Sequence, residues 1–481
     1  MATVWAAALW VNYALAVLVV AGLLLRRREP TAMTAWLLAI IFVPFLGMIA
    51  YWFLGSGRLA RKVGRRRRRV GSLLTRLRAR PEYDALPSIF SRPQVQPGLA
   101  DLEQIARRLA EMPAVGGNEV AVLCDAADSF AALEAALRGA ERFIHLEYYT
   151  WRDDETGRRY RDLLAERARG GVQVRLLLDA GGCFTLRRRF LRPLIDAGAR
   201  VAYFLPLHRF PFSKRWSLHL RNHRKIAIID GREALMGSQN IGDEYLGRRP
   251  HLSPWIDAQL HVRGPAALFL HEVFAEDWYL ATRERLDQAS FYPPARAPGS
   301  SVVQILPTGP DQSLAILEQI VFGAVSAARR SIRIATPYFV PEAPLRMALL
   351  HAACRGLEVK LVLPTRNDVP LVLWAARSFY AEMLDGGVEI YEFDGGMLHA
   401  KIVTVDDQWC LLGSANMDAR SFRLNYEVGA AIFDPDVVRK VAERIDGFCA
   451  QGRRITARSV HQASLPRRIG EGAARLFAPL L

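Results

Sequence analysis

The chain has 481 residues, 51% of them hydrophobic, and a formal net charge of +16. That length holds more than one domain, and the charge favours an anionic partner, nucleic acid or an anionic lipid surface. The five Cys (Cys124, Cys183, Cys354, Cys410, Cys449) are odd in number and scattered, with no C-x-x-C, which excludes a disulfide framework and a zinc site and suits reduced, packed thiols on the cytosolic side.

In chain order, Thr3 to Leu25 carries no ionisable group except Tyr13, long enough to cross a bilayer. Arg26, Arg27 and Arg28 interrupt, and Thr31 to Gly55 forms a second uncharged apolar run with Trp36, Tyr51 and Trp52 toward its ends. No basic region precedes the first run and a second follows at once, so the pattern predicts a two-span hairpin over 1–57 and not a signal peptide. From Arg58 to Arg80 there are eleven basic residues and no acid. This polybasic linker (58–97) outweighs the three Arg of the hairpin loop and puts the bulk of the chain on the cytoplasmic side, where it can also meet anionic lipid.

Beyond Pro97 the pattern turns to short apolar strands and amphipathic helices. Strands are expected at Ala121–Cys124, Phe143–Tyr149, Gly171–Asp179 and Arg200–Phe204, and a helix at Tyr160–Arg169. Ser331–Ala335, Gly356–Pro364 and Asp385–Phe393 repeat this order. The expected fold is therefore α/β: two duplicated halves, 98–290 and 301–450, with mixed, largely parallel sheets and flanking helices around a pseudo-twofold axis. Pro293–Ser301 reads as the joint (291–300). Gly181-Gly182 lacks dinucleotide spacing, there is no P-loop, and the pair reads as a turn without a cofactor role. The tail (451–481) puts Ile469, Ala473, Leu476 and Leu480 on one helical face, fit either for a membrane interface or for packing on the soluble region.

The repeat carries the chemistry. His223-Arg-Lys225-Ile-Ala-Ile-Ile-Asp230 is followed by Gly237-Ser238-Gln-Asn240, and His399-Ala-Lys401-Ile-Val-Thr-Val-Asp406 by Gly413-Ser414-Ala-Asn416. The chain has ten His and only six Lys, so one H-x-K-x4-D would arise by chance roughly once in a hundred such chains. A single copy would pass for a buried strand ending in a turn; two do not. On a strand, His and Lys at i and i+2 share a face. Two halves would bring two imidazoles and two ammoniums to one site, a set suited to a phosphodiester. Lys225 and Lys401 would hold the anionic oxygens, with Ser238, Asn240, Ser414 and Asn416 as neutral phosphate-binding donors. One imidazole can attack phosphorus while the other moves protons, and no metal or cofactor is required. Asp230 and Asp406 complete the catalytic motifs but stand at strand ends, where a structural role tying a turn or a backbone donor is expected. Each His needs a partner on its other nitrogen. Asp257 and Glu427, 34 and 28 residues after the His of their own halves, are the candidates.

These blocks resemble the phospholipase D superfamily. Asn222-His-Arg-Lys225, Asn240-Ile-Gly-Asp-Glu-Tyr245, Thr336-Pro-Tyr-Phe-Val-Pro341, Gly413–Phe422 and Leu424–Val428, with Ala35-Trp36, Pro44 and Gly47 in the hairpin, are similar to bacterial cardiolipin synthases across nearly the whole chain. Ile256 departs from the pattern, which has Arg before the aspartate. The resemblance implies a phosphatidyltransferase of the bacterial inner membrane, with His223 as nucleophile and His399 as general acid/base. One phosphatidylglycerol would give its phosphatidyl group to a second, yielding cardiolipin and glycerol. Its partners would be anionic phospholipids, not nucleic acid, since a nuclease needs no membrane spans. The segment from Arg187 to Trp216 mixes basic and aromatic residues and is a candidate for docking on lipid. A lipid hydrolase, a transferase with another alcohol acceptor and an inactive membrane scaffold are the competing readings; intact His and Lys in both halves weigh against the last.

Overall fold

The computed structural model describes residues 92–205, 220–248, 254–312 and 314–480, and residues 10–51 in part. The chain divides into two units, Met1–Arg67 and Arg68–Leu481. In the first, Pro30–Phe42 and Leu46–Ala50 are helical. Ala16 and Leu23 from the first apolar run pack on Ile40 and Tyr51 from the second, so the two runs lie against each other. Among the described residues no helix is long and apolar enough to cross a membrane, so the two spans expected here are not established by the structure. Most of the polybasic linker falls outside the described residues.

The second unit is built on one fifteen-stranded sheet. Its first half contributes β1 (Ala114–Leu123), β2 (Phe143–Tyr148), β3 (Gln173–Asp179), β4 (Arg200–Phe204), β5 (Ile226–Ile229), β6 (Glu233–Gly237), β7 (Trp255–Ile256) and β8 (Gln259–Arg263). The second contributes β9 (Ser301–Thr308), β10 (Ser331–Ala335), β11 (Phe339–Val340), β12 (Glu358–Pro364), β13 (Glu389–Phe393), β14 (Met397–Leu398), β15 (Ile402–Val405), β16 (Trp409–Gly413), β17 (Met417–Asp418), β18 (Glu427–Ile432) and β19 (Arg453–Ile455). The order β4-β3-β2-β5-β6-β8-β1 continues through β9-β18-β16-β15-β10-β12-β13-β19, while the short pairs β11–β17 and β14–β7 stand apart. Seven strands of the large sheet correspond in order between the halves, and the motif hairpins correspond in register: Ile226 faces Met236 as Ile402 faces Leu412; β19, at the far edge, has no counterpart among the described residues. The halves meet where β1 and β9 pair antiparallel.

One expectation needs correction. Only β2-β3-β4 and β10-β12-β13 are parallel; the other pairings of the large sheet are antiparallel. Crossover helices enforce parallel strands early in each half, but after the motif strand the chain doubles back through a short turn, which permits only antiparallel pairing. Asp230 and Gly231 in one turn, and Asp406 and Asp407 in the other, take the positive φ that such reversal requires. The helix Pro97–Ala110 precedes β1 yet packs on the second half: Gln96 donates to Asp406 at 2.6 Å, and a Cβ on Gly98 would come within 3.0 Å of Ala327.

Strands β2, β5, β15 and β16 are buried along their whole length; β5 and β16 accordingly read as unbroken apolar runs, whereas β2 carries buried His145 and Glu147 and β15 buried Thr404. Helices Ala126–Gly139 and Glu155–Arg169, each N-capped by an Asp side chain, bury Phe130, Leu133, Tyr160 and Leu164 in one layer of the first half. The motif aspartates hold this frame. Asp230 accepts from the amides of Glu141, Arg142 and Phe143, each at 2.8 Å, at the start of β2. Asp406 does the same for Arg329, Arg330 and Ser331 at 2.8, 2.8 and 2.9 Å, at the start of β10. Of the two roles the sequence suggests for them, this is the structural one.

Replacing Asp406 by Ala strips three amides of their acceptor and should cost about 3 kcal/mol of stability, read as a lower urea midpoint with unchanged slope. Unaltered stability with lost turnover would instead place Asp406 in the chemistry.

Candidate active site

The two motifs converge. His223 and His399 line one cavity of about 530 Å³, together with Tyr149, Arg221, Asn240, Tyr338, Asn416 and Arg420. His223 and Lys225 stand in the extended lead-in to β5, not within the strand itself, and His399 and Lys401 stand likewise before β15. The i, i+2 relation survives there: Lys225 Nζ donates to the carbonyl of His223, and Lys401 Nζ to that of His399, each at 2.6 Å.

Each imidazole is gripped by a carboxylate of the opposite half. His223 Nδ1 lies 3.0 and 3.1 Å from the two oxygens of Glu427, and His399 Nδ1 lies 2.7 Å from Asp257 Oδ1. The partners are the two expected from sequence; the pairing is crossed, where spacing had put each carboxylate with the His of its own half. The backbone explains the crossing. Trp255-Ile256 pairs in parallel with Met397-Leu398, and the amides of His399 and Ala400 donate to Ile256 O at 2.8 Å, so Asp257 arrives beside His399. Symmetrically, Asn222 bridges Tyr426 and the His223 amide donates to Tyr426 O at 2.9 Å, delivering Glu427 to His223. At the departure, Ile256, it is the main chain that makes these contacts.

An ionised carboxylate can only accept, so both Nδ1 atoms carry the hydrogen and both Nε2 atoms are left for chemistry. Burial drives His223 down to about 4, against the pull of Glu427 and with Lys225 adding to the push, so it is neutral at physiological pH. Burial, with Lys401, also lowers His399, while Asp257 opposes. Burial pushes both carboxyls up, but His223 and Lys225 pull Glu427, and His399 and Lys401 pull Asp257, below their usual range. Burial takes Lys225 down to about 7 and Lys401 to about 8, with Lys401 pressing on Lys225 against Glu427. Neither lysine is part of the cavity lining, but both act on His223, which is; an anion entering beside the imidazoles favours the charged form of both.

The serines do not take the phosphate-binding role expected of them. Ser414 donates to Glu427 and accepts from the Val428 amide at 3.0 Å; Ser238 accepts from the Ala258 amide at 3.0 Å and helps hold Asp257 ionised. Both are fully buried and position the carboxylates. Asn240 does reach the cavity but ties the Thr150 amide to Tyr245 at 3.0 and 2.9 Å, whereas Asn416 lines it with a carbonyl oxygen lacking a partner among the described residues.

Sequence reasoning missed a buried network behind His223. Arg224 donates to Glu427 O and Thr308 O, each at 3.0 Å, and pairs with Asp277. Asn222 bonds both Asp277, at 3.1 Å, and Glu147. Burial and then Asp277 raise Glu147 well above its ordinary value, so it stays protonated. The second motif has Leu398 and Ala400 where the first has Asn222 and Arg224, and that asymmetry was the available signal. Asp179 was missed too: it accepts from the Gly181, Gly182 and Asn222 amides at 2.8 to 2.9 Å, so the Gly-Gly turn forms part of the cavity wall.

A family model described as "Cardiolipin synthase, PLD-like domain" matches residues 133–264 and 321–448, and one described as "Phospholipase_D-nuclease N-terminal" matches 4–56. The chain is 35% identical over 459 residues to a cardiolipin synthase of Geobacillus kaustophilus, covering 95% of this chain and 90% of that one. It is 33% identical over 465 residues to a probable cardiolipin synthase of Bacillus subtilis, covering 96% and 91%. Among solved structures, phosphatidylserine synthase of Haemophilus influenzae superposes with a TM-score of 0.60 at 17% identity, over 79% of this chain and all of that one, a likeness of fold.

Two outcomes are expected. Arg224→Lys keeps the charge but not the planar fork, and should lower kcat roughly tenfold or more through loosened Glu427, with little change in KM. Glu427→Gln should alter the titration of His223 and leave His399 unmoved, seen by nitrogen NMR of labelled imidazoles; the opposite pattern would refute the crossed pairing.

Proposed function

Because the chain belongs to the cardiolipin synthase family of phospholipase D-like proteins, and is a phosphatidyltransferase of that type, we propose that it joins two phosphatidylglycerol molecules through a phosphohistidine. What supports this reading is the convergence of two carboxylate-held imidazoles on one cavity, with Lys225 and Lys401 close enough to act electrostatically on His223.

In this reading His223 Nε2, neutral and held by Glu427, attacks phosphorus of the first lipid. The N–P bond forms, the bond from phosphorus to the glycerol headgroup oxygen breaks, and His399 gives its Nε2 proton to the departing alkoxide, so glycerol leaves. A hydroxyl of the second lipid then returns a proton to His399 as its oxygen bonds phosphorus and the N–P bond breaks, giving cardiolipin. Burial disfavours protonated His399 in the empty cavity, but a bound phosphate restores it, as opposite charge favours the charged form. Lys225 and Lys401 neutralise the oxygens on which charge builds. Arg224 and the two Ser act at one remove, as positioning residues. The apolar runs of 1–57 are read as a membrane hairpin, with the catalytic unit on the cytoplasmic side of the bacterial inner membrane. Matches to relatives called cardiolipin synthases, together with the N-terminal family match over 4–56, support that reading.

With pure phosphatidylglycerol in detergent micelles, cardiolipin and glycerol should appear in equal amounts. Phosphatidic acid alone would mean that water is the acceptor. Quenching in denaturant at neutral to mildly alkaline pH, where an N–P bond survives, should trap labelled phosphatidyl on His223, and His399→Ala should still label if the headgroup is replaced by p-nitrophenol, a leaving group that needs no proton. Label on His399 would reverse the two roles. For the free enzyme, kcat/KM should fall toward acid as His223 protonates near pH 4, and toward base as Lys225 and Lys401 lose protons near 7 and 8.

A further inference from the structure

The C-terminal helix Leu465–Arg475 is packed inside out. Its buried side consists of Gly470, Glu471 and Ala474; a Cβ at Gly470 would meet the Trp374 ring at 2.5 Å, and Arg475 lies 4.3 Å over the Phe379 ring. Its outward side carries Leu465, Ile469 and, two turns on at the C-cap, Leu476, which are 67%, 62% and 80% exposed. A helix covering a soluble core turns its large apolar residues inward. Here small residues and Glu471, which the exposed Arg467 pairs at 2.7 Å, face the protein, and the aliphatic stripe faces out.

The surface beneath continues the stripe. The helix Pro370–Arg377 presents Leu371 and Trp374 to the outside, 40% and 49% exposed. The same segment turns Val369 and Val372 into the catalytic cavity. Across the opening, Phe184 lines the cavity and is largely exposed, and the exposed Arg187, Arg188 and Arg189 follow it. Exposed Arg468, Arg458, Arg454 and Arg453 flank the C-terminal stripe. Arg453 and Arg454 pair with Glu392 and Glu389, each at 3.0 Å, while Arg187–Arg189 on one rim and Arg458 and Arg468 on the other add exposed positive charge to the exposed apolar side chains. Among apolar partners, an anionic bilayer is the one that this charge matches.

We propose that the cavity mouth docks on an anionic membrane surface, with the C-terminal helix lying in the lipid interface as one rim and Phe184 with Arg187–Arg189 as the other. Docking in this pose lets a lipid headgroup pass from the bilayer into the cavity without crossing water, which also protects a covalent intermediate from hydrolysis. The proposal rests on the lipid-transfer reading above for its purpose, though not for its geometry.

The test uses the full chain. The triple variant Leu465→Ser, Ile469→Ser, Leu476→Ser alters only exposed side chains, so its thermal midpoint should match wild type. Turnover of phosphatidylglycerol in bilayer vesicles should drop about tenfold while turnover in detergent micelles stays within about twofold. Arg468→Glu should produce the same split, relieved in high salt. Equal rates in vesicles, or an equal loss in both media, would overturn the proposal. A second measurement does not depend on catalysis. A fluorophore on Leu476→Cys, with exposed Cys354 replaced by Ser, should be quenched by nitroxide-labelled acyl chains in phosphatidylglycerol vesicles. Absence of quenching refutes docking even if cardiolipin is made; quenching without cardiolipin upholds docking and refutes the transferase reading alone.

Discussion

Two hydrogen bonds that cross the pseudo-twofold axis, Glu427 to His223 and Asp257 to His399, are what the remainder of this structure serves. Each is made by a carboxylate that the partner half supplies. Neither half therefore holds a complete site alone: separated, each would expose an imidazole with no group to set its tautomer and a carboxylate with no imidazole to hold. The continuous sheet through β1 and β9 keeps the axis rigid, and the short ladders β7–β14 and Asn222–Tyr426 convert that rigidity into the placement of two side chains.

Symmetry in the frame coexists with asymmetry in the electrostatics. The motif aspartates, the hairpin turns and the serine–carboxylate contacts recur in both halves. Behind His223, however, lies the Arg224–Asp277 pair with protonated Glu147, and the second half puts apolar residues there. Arg224 reaches the carbonyl of Glu427 itself, so the first motif is braced from behind in a way the second is not. The proposed two-step transfer asks different things of its two imidazoles: one would be held still as a nucleophile, the other would exchange a proton twice. A duplicated fold that has diverged at the support of a single His answers that demand without disturbing the shared geometry.

The exposed stripe of the C-terminal helix follows the same logic at larger scale. A cavity that opens onto solvent would favour water as acceptor. Rims with exposed apolar and basic residues on both sides of the opening, one from each half, fit a site that opens onto lipid.

Much of this was legible in the chain. H-x-K at i and i+2, repeated with the same G-S-x-N trailer, is a local pattern whose chemistry follows from residue type, and the register of repeated strands follows from apolar runs of matched length. The two carboxylates could be found because they recur at matching places in each half. Their crossed assignment could not, since spacing along the chain says nothing of which half a segment crosses to. The dominance of antiparallel pairing depended on two short turns after the motif strands. The serines looked like phosphate donors because a hydroxyl beside a cationic motif has that capacity; only burial and a neighbouring carboxylate decided otherwise. Arg224 looked like one more basic residue in an Arg-rich chain until packing enclosed it. Local sequence determined which groups this protein owns and how they repeat. Tertiary structure decided which of them meet, because hydrogen-bond partners and solvent exposure are properties of segments far apart in the chain brought to one place.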